Sequence, residues 1–397
     1  MNESRNFGVD VIIGHKRELL HIAPVIHELQ KQQIFNVRII SLQQPGSEIA
    51  EALNLFSLQS DIDWKIRGTA ADSGLYLSEL STLLSELWQR RKPDWVLNFG
   101  HGVQSFSTTM TAFQNQIPTA NIYDSLRATA HRKTRRYTSQ AIKSISIISE
   151  LLFMPSVDSR NILIHEGISE NSIYVVGSTL SDSRRIVSEK FTPDSFKSIL
   201  LQTIHEHSVQ AMLECKYLLL NLNSEDEIEL YREIIAQIQF GKFSLLPVIL
   251  VNDETHPRRI MSKFESIYPE SLILPKLRYH QRLAILQRAS CVLSNHEDTL
   301  EECTTLGTKA IMFDNANCCA ELVTSGSVLA VPQQPDEQVR AILSCLESEK
   351  KRIKQEISPQ TVPQRQSSSA KVVQAISNRT NETVQRWRTS LLSRQAG

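Results

Sequence analysis

Short apolar runs that end on a glycine or a polar cluster alternate, along nearly the whole chain, with segments whose apolar residues recur at helical spacing. Val9–Ile13 stops at Gly14, and a helical pattern runs from Glu18 through His27 to Lys31. Asn36–Leu42 reads as a second strand, with a turn over Gln43–Gly46. Leu77–Arg91 is amphipathic, with Leu77, Leu80, Leu83, Leu84, Leu87 and Trp88 at helical spacing, and it feeds a strand at Trp95–Phe99. A turn at Gly100–Gly102, a helix through Phe113 and a strand at Thr119–Ile122 follow. Strand–helix alternation of this kind predicts parallel sheets, because a parallel neighbour needs a crossover. Such sheets hold ligands in the loops at the carboxyl ends of their strands. His101 and the Tyr123/Asp124 pair fall on that rim.

The alternation then resumes. Ser144–Ile148 reads as a strand, Pro155–His165 as a helix, and Ile173–Val176 as a strand that stops at Gly177. Polar residues from Ser178 to about Glu206 read as a connection between domains, and a second series begins beyond them. Strands are expected at Tyr217–Leu222, Leu245–Val251, Leu272–Leu274, Cys291–Ser294 and Ala310–Phe313. Helices are expected at Glu225–Ile238, Pro257–Ile267, His280–Gln287 and Thr299–Thr305. A chain of 397 residues exceeds what one core usually supports. The expected division is therefore a Rossmann-like domain over 1–180, a second over 181–365, and a tail over 366–397. The stretch Ser358–Ser369 is rich in Gln, Ser and Pro; Lys371 to about Ser393 is helical and carries Val372, Val373, Ile376 and Trp387, which implies docking.

Charge excludes one class of partner. With 43 basic and 43 acidic residues, nothing global attracts the chain to nucleic acid or an anionic membrane. The run HRKTRRYTSQAIK reads as a solvated helix face, with anion binding as the alternative. No apolar run reaches the roughly 20 residues that span a bilayer, and MNESRNFGVD lacks the apolar core of a signal peptide, so the cytoplasm is expected. The six cysteines show neither CxxC pairing nor His-interleaved spacing, so neither a zinc site nor a disulfide framework is signalled; no metal and no cofactor are expected.

Four stretches, IGHKRELLHIAPVIHELQK, PDWVLNFGHGVQSFSTTMTAF, IYVVGSTLSD and LEECTTLGTKAIMF, together resemble the non-hydrolysing UDP-N-acetylglucosamine 2-epimerases. IGHKRELLHIAPVIHELQK is similar to that family's G-T-R-P-E-x-I-K-x-x-P opening, with Gly14, Glu18, Ala23 and Pro24 in register. PDWVLNFGHGVQSFSTTMTAF, followed by IP and SLR, resembles its P-D…G-D segment and E-A-G-L-R strand end. IYVVGSTLSD resembles its I-x-x-T-G-N-T-x-x-D hinge, and LEECTTLGTKAIMF with AELVTSG resembles its two blocks near the nucleotide. The resemblance spans about Val11 to Val331. It implies the GT-B fold: two Rossmann-like domains with parallel sheets facing a central cleft, and a C-terminal helix returning to the first domain.

The same resemblance implies C2 epimerisation by anti elimination of UDP and re-addition, which needs acid/base groups at the sugar and donors at the diphosphate. Several of the corresponding positions differ. The aspartate of G-D is His101, and the glutamate of E-A-G-L-R is Tyr123, with Asp124 one place later. The family's P-E-E-x-N-R has no counterpart between Ala128 and Ser139, and its G-H-R is Leu222-Asn223-Ser224. Its S-G-G is His296-Glu297-Asp298, where two carboxylates against a diphosphate cost on the order of several kcal/mol. The arginine of its R-P-E is Cys319. The candidate catalytic residues are His101, Asp124 and Tyr123. Candidate ligand-binding residues are Gly14, Lys16, Glu18, Arg127, His296, Glu302 and Glu321, with Lys16 at the family's anion-binding arginine and Glu302 where ribose hydroxyls would sit.

Three readings stay open on the sequence. The chain is a divergent family member that binds a nucleotide sugar and runs another reaction, such as glycosyl transfer with His101 as base; or a scaffold with a vestigial cleft; or a true epimerase with a rebuilt acid/base set. The resemblance is compatible with a homodimer, or with pairing to an active homologue.

Overall fold

The structure is a computed structural model, and it describes residues 6–43, 48–67, 73–123, 132–191, 193–222, 227–240, 245–251, 271–313, 323, 326, 328–332, 334–355 and 366–395. Two compact units emerge: Met1–Ser183 with Gln364–Gly397, and Arg184–Pro363.

The first unit is built on seven strands: β1 (Phe7–Ile13), β2 (Phe35–Gln43), β3 (Ile62–Lys65), β4 (Trp95–Phe99), β5 (Thr119–Ile122), β6 (Leu151–Met154) and β7 (Ile173–Val175). Their order is β3-β2-β1-β4-β5-β6-β7, every pair parallel. Helices cover both faces of a parallel sheet, so its central strands are buried on both sides and mostly apolar; all five residues of β4 are buried. Chain order reverses between β1 and β4, where Val9 lies opposite Trp95 and Val11 opposite Leu97. That reversal opens a crevice beyond the carboxyl ends of the two strands.

The second unit repeats the plan with β8 (Tyr217–Leu222), β9 (Leu246–Val251), β10 (Leu272–Leu274), β11 (Cys291–Leu293), β12 (Ala310–Phe313) and β13 (Val328–Val331). The order β10-β9-β8-β11-β12-β13 is again wholly parallel, and it reverses between β8 and β11.

One sequence expectation fails here. Ser144–Ile148 is not a strand but the end of a helix, Arg132–Ile148. In a strand Ile145 and Ile147 would share a face, yet Ile145 is 0% exposed and Ile147 63%, while Ile142 is buried. The helical period decides there. The strand follows at Leu151–Met154. The stretch Ser178–Glu206 contains the division between the two units, after Ser183, and folds into helices at Leu180–Ser188 and Pro193–Leu200, where Val187, Phe196 and Leu200 supply buried anchors. The expected helix at Pro257–Ile267 lies outside the described residues.

The helix Ser368–Gln395 packs against α1 (Lys16–Lys31), burying Val372, Val373 and Ile376. Trp95 Nε1 donates to Thr380 Oγ1 at 2.9 Å, and Arg379 pairs with Glu150 at 3.1 Å. The side chain of Trp387 lies outside the description. No helix among the described residues is long and apolar enough to cross a membrane.

Candidate ligand-binding site

At the β1/β4 crevice the backbone geometry follows from a helix start. His15 caps α1: its Nδ1 accepts from the Arg17 amide at 3.2 Å. Glu18 reaches back to accept from the amides of Gly14 at 2.7 Å and His15 at 3.3 Å. This capping box satisfies amides that a helix otherwise leaves open. It also turns the Glu18 carboxyl inward. Although the residue as a whole is half-buried, burial of its carboxyl pushes it up to about 7, against the pull of the two amides and Arg17.

Gly14 is hemmed in. A Cβ there would sit 3.0 Å from Gln104 Cγ and 3.5 Å from the Tyr76 hydroxyl. Gln104 belongs to the helix Val103–Gln114, which follows β4, and its Nε2 donates to the Ile12 carbonyl at 3.3 Å. Glu18, Tyr76 and Gln104 therefore ring Gly14. Burial, reinforced by the Glu18 charge, pushes the Tyr76 hydroxyl well above its usual value of 10. Lys16 forms an ion pair with Glu48 at the rim, so its charge is met by a carboxylate and not only by solvent.

The β4 turn is equally well supported. Gly100 has φ +75°, a conformation that favours glycine. Its carbonyl accepts from Ser105 Oγ and Asn121 Nδ2, each at 3.0 Å, and its amide donates to Ile122 at 2.8 Å. Below it Asn98 Nδ2 donates to Thr109 Oγ1 at 3.1 Å. His101 sits half-buried on this platform, between two glycines.

His21 is a residue that sequence reasoning missed. Its ring stacks on Phe99 with centroids 4.2 Å apart, and its Nδ1 is 3.3 Å from Thr179 Oγ1. A histidine within the apolar run LLHIAPVI was the available signal.

Tyr123 is placed differently from the expectation of a rim residue. It is 2% exposed and packed among Ile142, Ile145 and Leu152, with its hydroxyl 3.1 Å from Ser146 Oγ. Burial holds that hydroxyl far above 10, so as placed it is a packing residue and not a titrating acid. Asp124, Arg127 and Glu321 lie outside the described residues.

In the second unit the β8/β11 reversal leads into a helix at Glu297–Leu306, with His296 at the N-cap position and no side-chain hydrogen bond from it to the helix start. Asn221 Nδ2 donates to Ser294 Oγ at 2.9 Å and Thr299 Oγ1 at 3.0 Å, which fixes the loop beneath the helix start. The His296 amide donates to Ser294 Oγ at 3.0 Å. The side chains of Glu297 and Asp298 lie outside the description. Glu302 is 2% exposed and ion-paired with Arg282, whose guanidinium lies 5.5 Å from the centre of the Tyr279 ring. Among the described residues no three His, Cys, Asp or Glu side chains gather as metal ligands.

Two parallel, doubly wound α/β units, with helix starts and turns fixed at each strand-order reversal, define the GT-B class. Solved structures of this fold are similar throughout. A UDP-N-acetylglucosamine 2-epimerase of Neisseria meningitidis bound to UDP-GlcNAc superposes with TM-score 0.72 at 21% identity, over 87% of this chain and 92% of that one. An S. aureus MnaA–UDP structure gives 0.70 at 16% identity, over 94% and 97%. Among curated proteins, the N. meningitidis serogroup A UDP-N-acetylglucosamine 2-epimerase is 23% identical over 85% of this chain and 90% of that protein. The family profile described as UDP-N-acetylglucosamine 2-epimerase matches residues 27–377. The chain belongs to that family.

Proposed function

We propose that the chain binds a UDP-linked amino sugar or a close relative of one, and that its reaction departs from C2 epimerisation. The observation that carries this reading is the contrast at the β1/β4 crevice. The frame is kept: Gly14 and Glu18 lock the start of α1, and Gly100 is anchored by Ser105 and Asn121. The reactive places are exchanged, with His101 at the family's aspartate and a fully packed Tyr123 at its glutamate. In this reading Lys16 and Arg127 neutralise ligand charge, Glu302 and Glu321 face the nucleotide, and His101 is the base of a transfer reaction, since an imidazole titrates near neutral pH.

A thermal-shift series with UDP and UDP-N-acetylglucosamine tests binding. Ligand at 100 times its dissociation constant stabilises by about 2.7 kcal/mol. No shift at millimolar ligand would reject the binding reading in favour of a scaffold. Incubation with UDP-N-acetylglucosamine in deuterated water then tests the chemistry: no deuterium is expected at C2, and its incorporation would establish the epimerase instead. His101→Ala is expected to keep the thermal shift while removing any transfer activity.

A further inference from the structure

The ammonium at the start of α1 is already held by a carboxylate. Lys16 is the first residue of that helix, and its side chain, 14% exposed, donates to Glu48, whose side chain is 27% exposed. Glu48 lies 32 residues further along the chain, at the N-cap position of the helix Ile49–Leu55. A side chain at that position ordinarily accepts from the amides of its own helix. Glu48 makes no such bond and reaches across to Lys16 instead. Both supports are fixed by the core, α1 through Leu19 and Leu20 and the Glu48 helix through Ile49 and Ala52. The α1 start has also committed other donors internally, since the Gly14 and His15 amides bind Glu18 and the Arg17 amide binds His15. An anion arriving at this helix start therefore meets a cation that Glu48 occupies.

We propose that Glu48 is a specificity-determining residue: an internal competitor that holds Lys16 in the unliganded chain and yields it only to the phosphate or diphosphate of a ligand. The proposal rests on the reading that Lys16 neutralises ligand charge. An ion pair that still touches solvent is weak enough to exchange partners. A phosphate dianion brings more charge to the ammonium than one carboxylate does, so it can win the exchange. A ligand whose only charge is a single carboxylate offers Lys16 nothing that Glu48 does not already supply. After the exchange the Glu48 carboxylate remains tethered beside the bound anion, where like charges repel. The pair that must break and the repulsion that follows both lower affinity. Glu48 thereby selects for charge density at the cost of tight binding.

The test is calorimetric titration of the full chain and of Glu48→Gln with UDP and with inorganic pyrophosphate. Gln keeps the length of the side chain and removes its charge. Glu48→Gln is expected to bind both probes at least about threefold more tightly than the parent. Glu48→Ala should show the same gain, and it decides the case if the Gln variant fails to fold. A merely structural role for Glu48 would not depend on Lys16, so the substitution is repeated in Lys16→Met. There, adding Glu48→Gln should change either affinity by less than about twofold. A smaller gain in the parent background, no gain, or weaker binding would overturn the proposal and make Glu48 a residue that positions Lys16. A gain that survives in Lys16→Met would overturn it as well. If UDP binds neither the parent nor any Glu48 variant, the nucleotide reading itself falls and this proposal falls with it. If UDP binds the parent and the Glu48 variants bind it no better, this proposal falls alone.

Discussion

Replacing Glu18 by Gln isolates the cost of ionising a carboxyl inside a capping box. Gln preserves the geometry, because its side-chain oxygen still accepts from the Gly14 amide where the carboxylate does at 2.7 Å. It removes the titration. Burial raises the folded-state value from 4.5 to about 7, so the folded chain holds this proton more tightly than the unfolded chain. The contribution is therefore fully present below about 4.5 and is lost as pH rises towards 7. With those two values, linkage gives a loss of about 2.5 kcal/mol between pH 5 and pH 8. At roughly 2–4 °C per kcal/mol for a unit of this size, the midpoint falls by about 5–10 °C. All four tryptophans, Trp64, Trp88, Trp95 and Trp387, belong to the first unit, so their fluorescence reports its unfolding selectively. Urea unfolding of both proteins at pH 5 and pH 8 should show the Gln variant gaining about 2.5 kcal/mol relative to the parent as pH rises. A difference that stays within about 0.5 kcal/mol across that range would refute the buried-carboxyl argument.

Further perturbations test the frame around the two crevices. Asp10, 2% exposed, accepts from Arg38 at 2.9 and 2.6 Å and from Trp88 Nε1 at 2.9 Å; Asp10→Ala strands the guanidinium and should cost about 3–5 kcal/mol in the tryptophan-detected transition. Arg282→Met leaves Glu302 buried without its ion-pair partner and should destabilise the second unit by a similar ~3–5 kcal/mol, which adding Glu302→Leu should largely restore in calorimetry. Gly307 ends its helix at φ +72°, and Gly307→Ala adds a left-handed penalty of about 1–2 kcal/mol while pushing Arg184 aside, measurable as a lower melting temperature of the second unit.

The alternation of strands and helices was legible because it is repetitive: strand after strand is an apolar run bounded by a glycine or polar cluster, and helices such as Leu77–Arg91 keep a strict apolar stripe. It misled where a short segment satisfied both periods. SISII reads as a strand in isolation, and only the contact of Ile142 and Ile145 with the core, which a single sequence does not display, decides for a helix. The site was legible in part for a related reason. Gly14, Glu18 and Gly100 are demanded by backbone geometry, and geometry leaves a mark on local sequence. Tyr123 was misplaced because a strand end and a core position carry the same signal when the next helix covers the rim, as the helix Arg132–Ile148 does through Ser146.

A layer of polar support beneath the loops had a signal that went unread. Asn98 in WVLNF, Asn121 in TANI and Asn221 in YLLLNL are each placed near the carboxyl end of an apolar strand, and each is 0% exposed. Burying an amide in a sheet costs on the order of 1–3 kcal/mol unless it is hydrogen-bonded, so its presence implies local partners. Two of the partners are loop groups: Asn121 holds the Gly100 carbonyl, and Asn221 holds Ser294 at the start of the loop to His296. The third, Asn98, binds Thr109 one layer below, beside Asn121 in register. Both units thus spend buried polar groups on fixing the loops at their strand-order reversals. That expenditure has no value to a sheet that only needs to pack, and it is the physical reason to look for a ligand at these two loops.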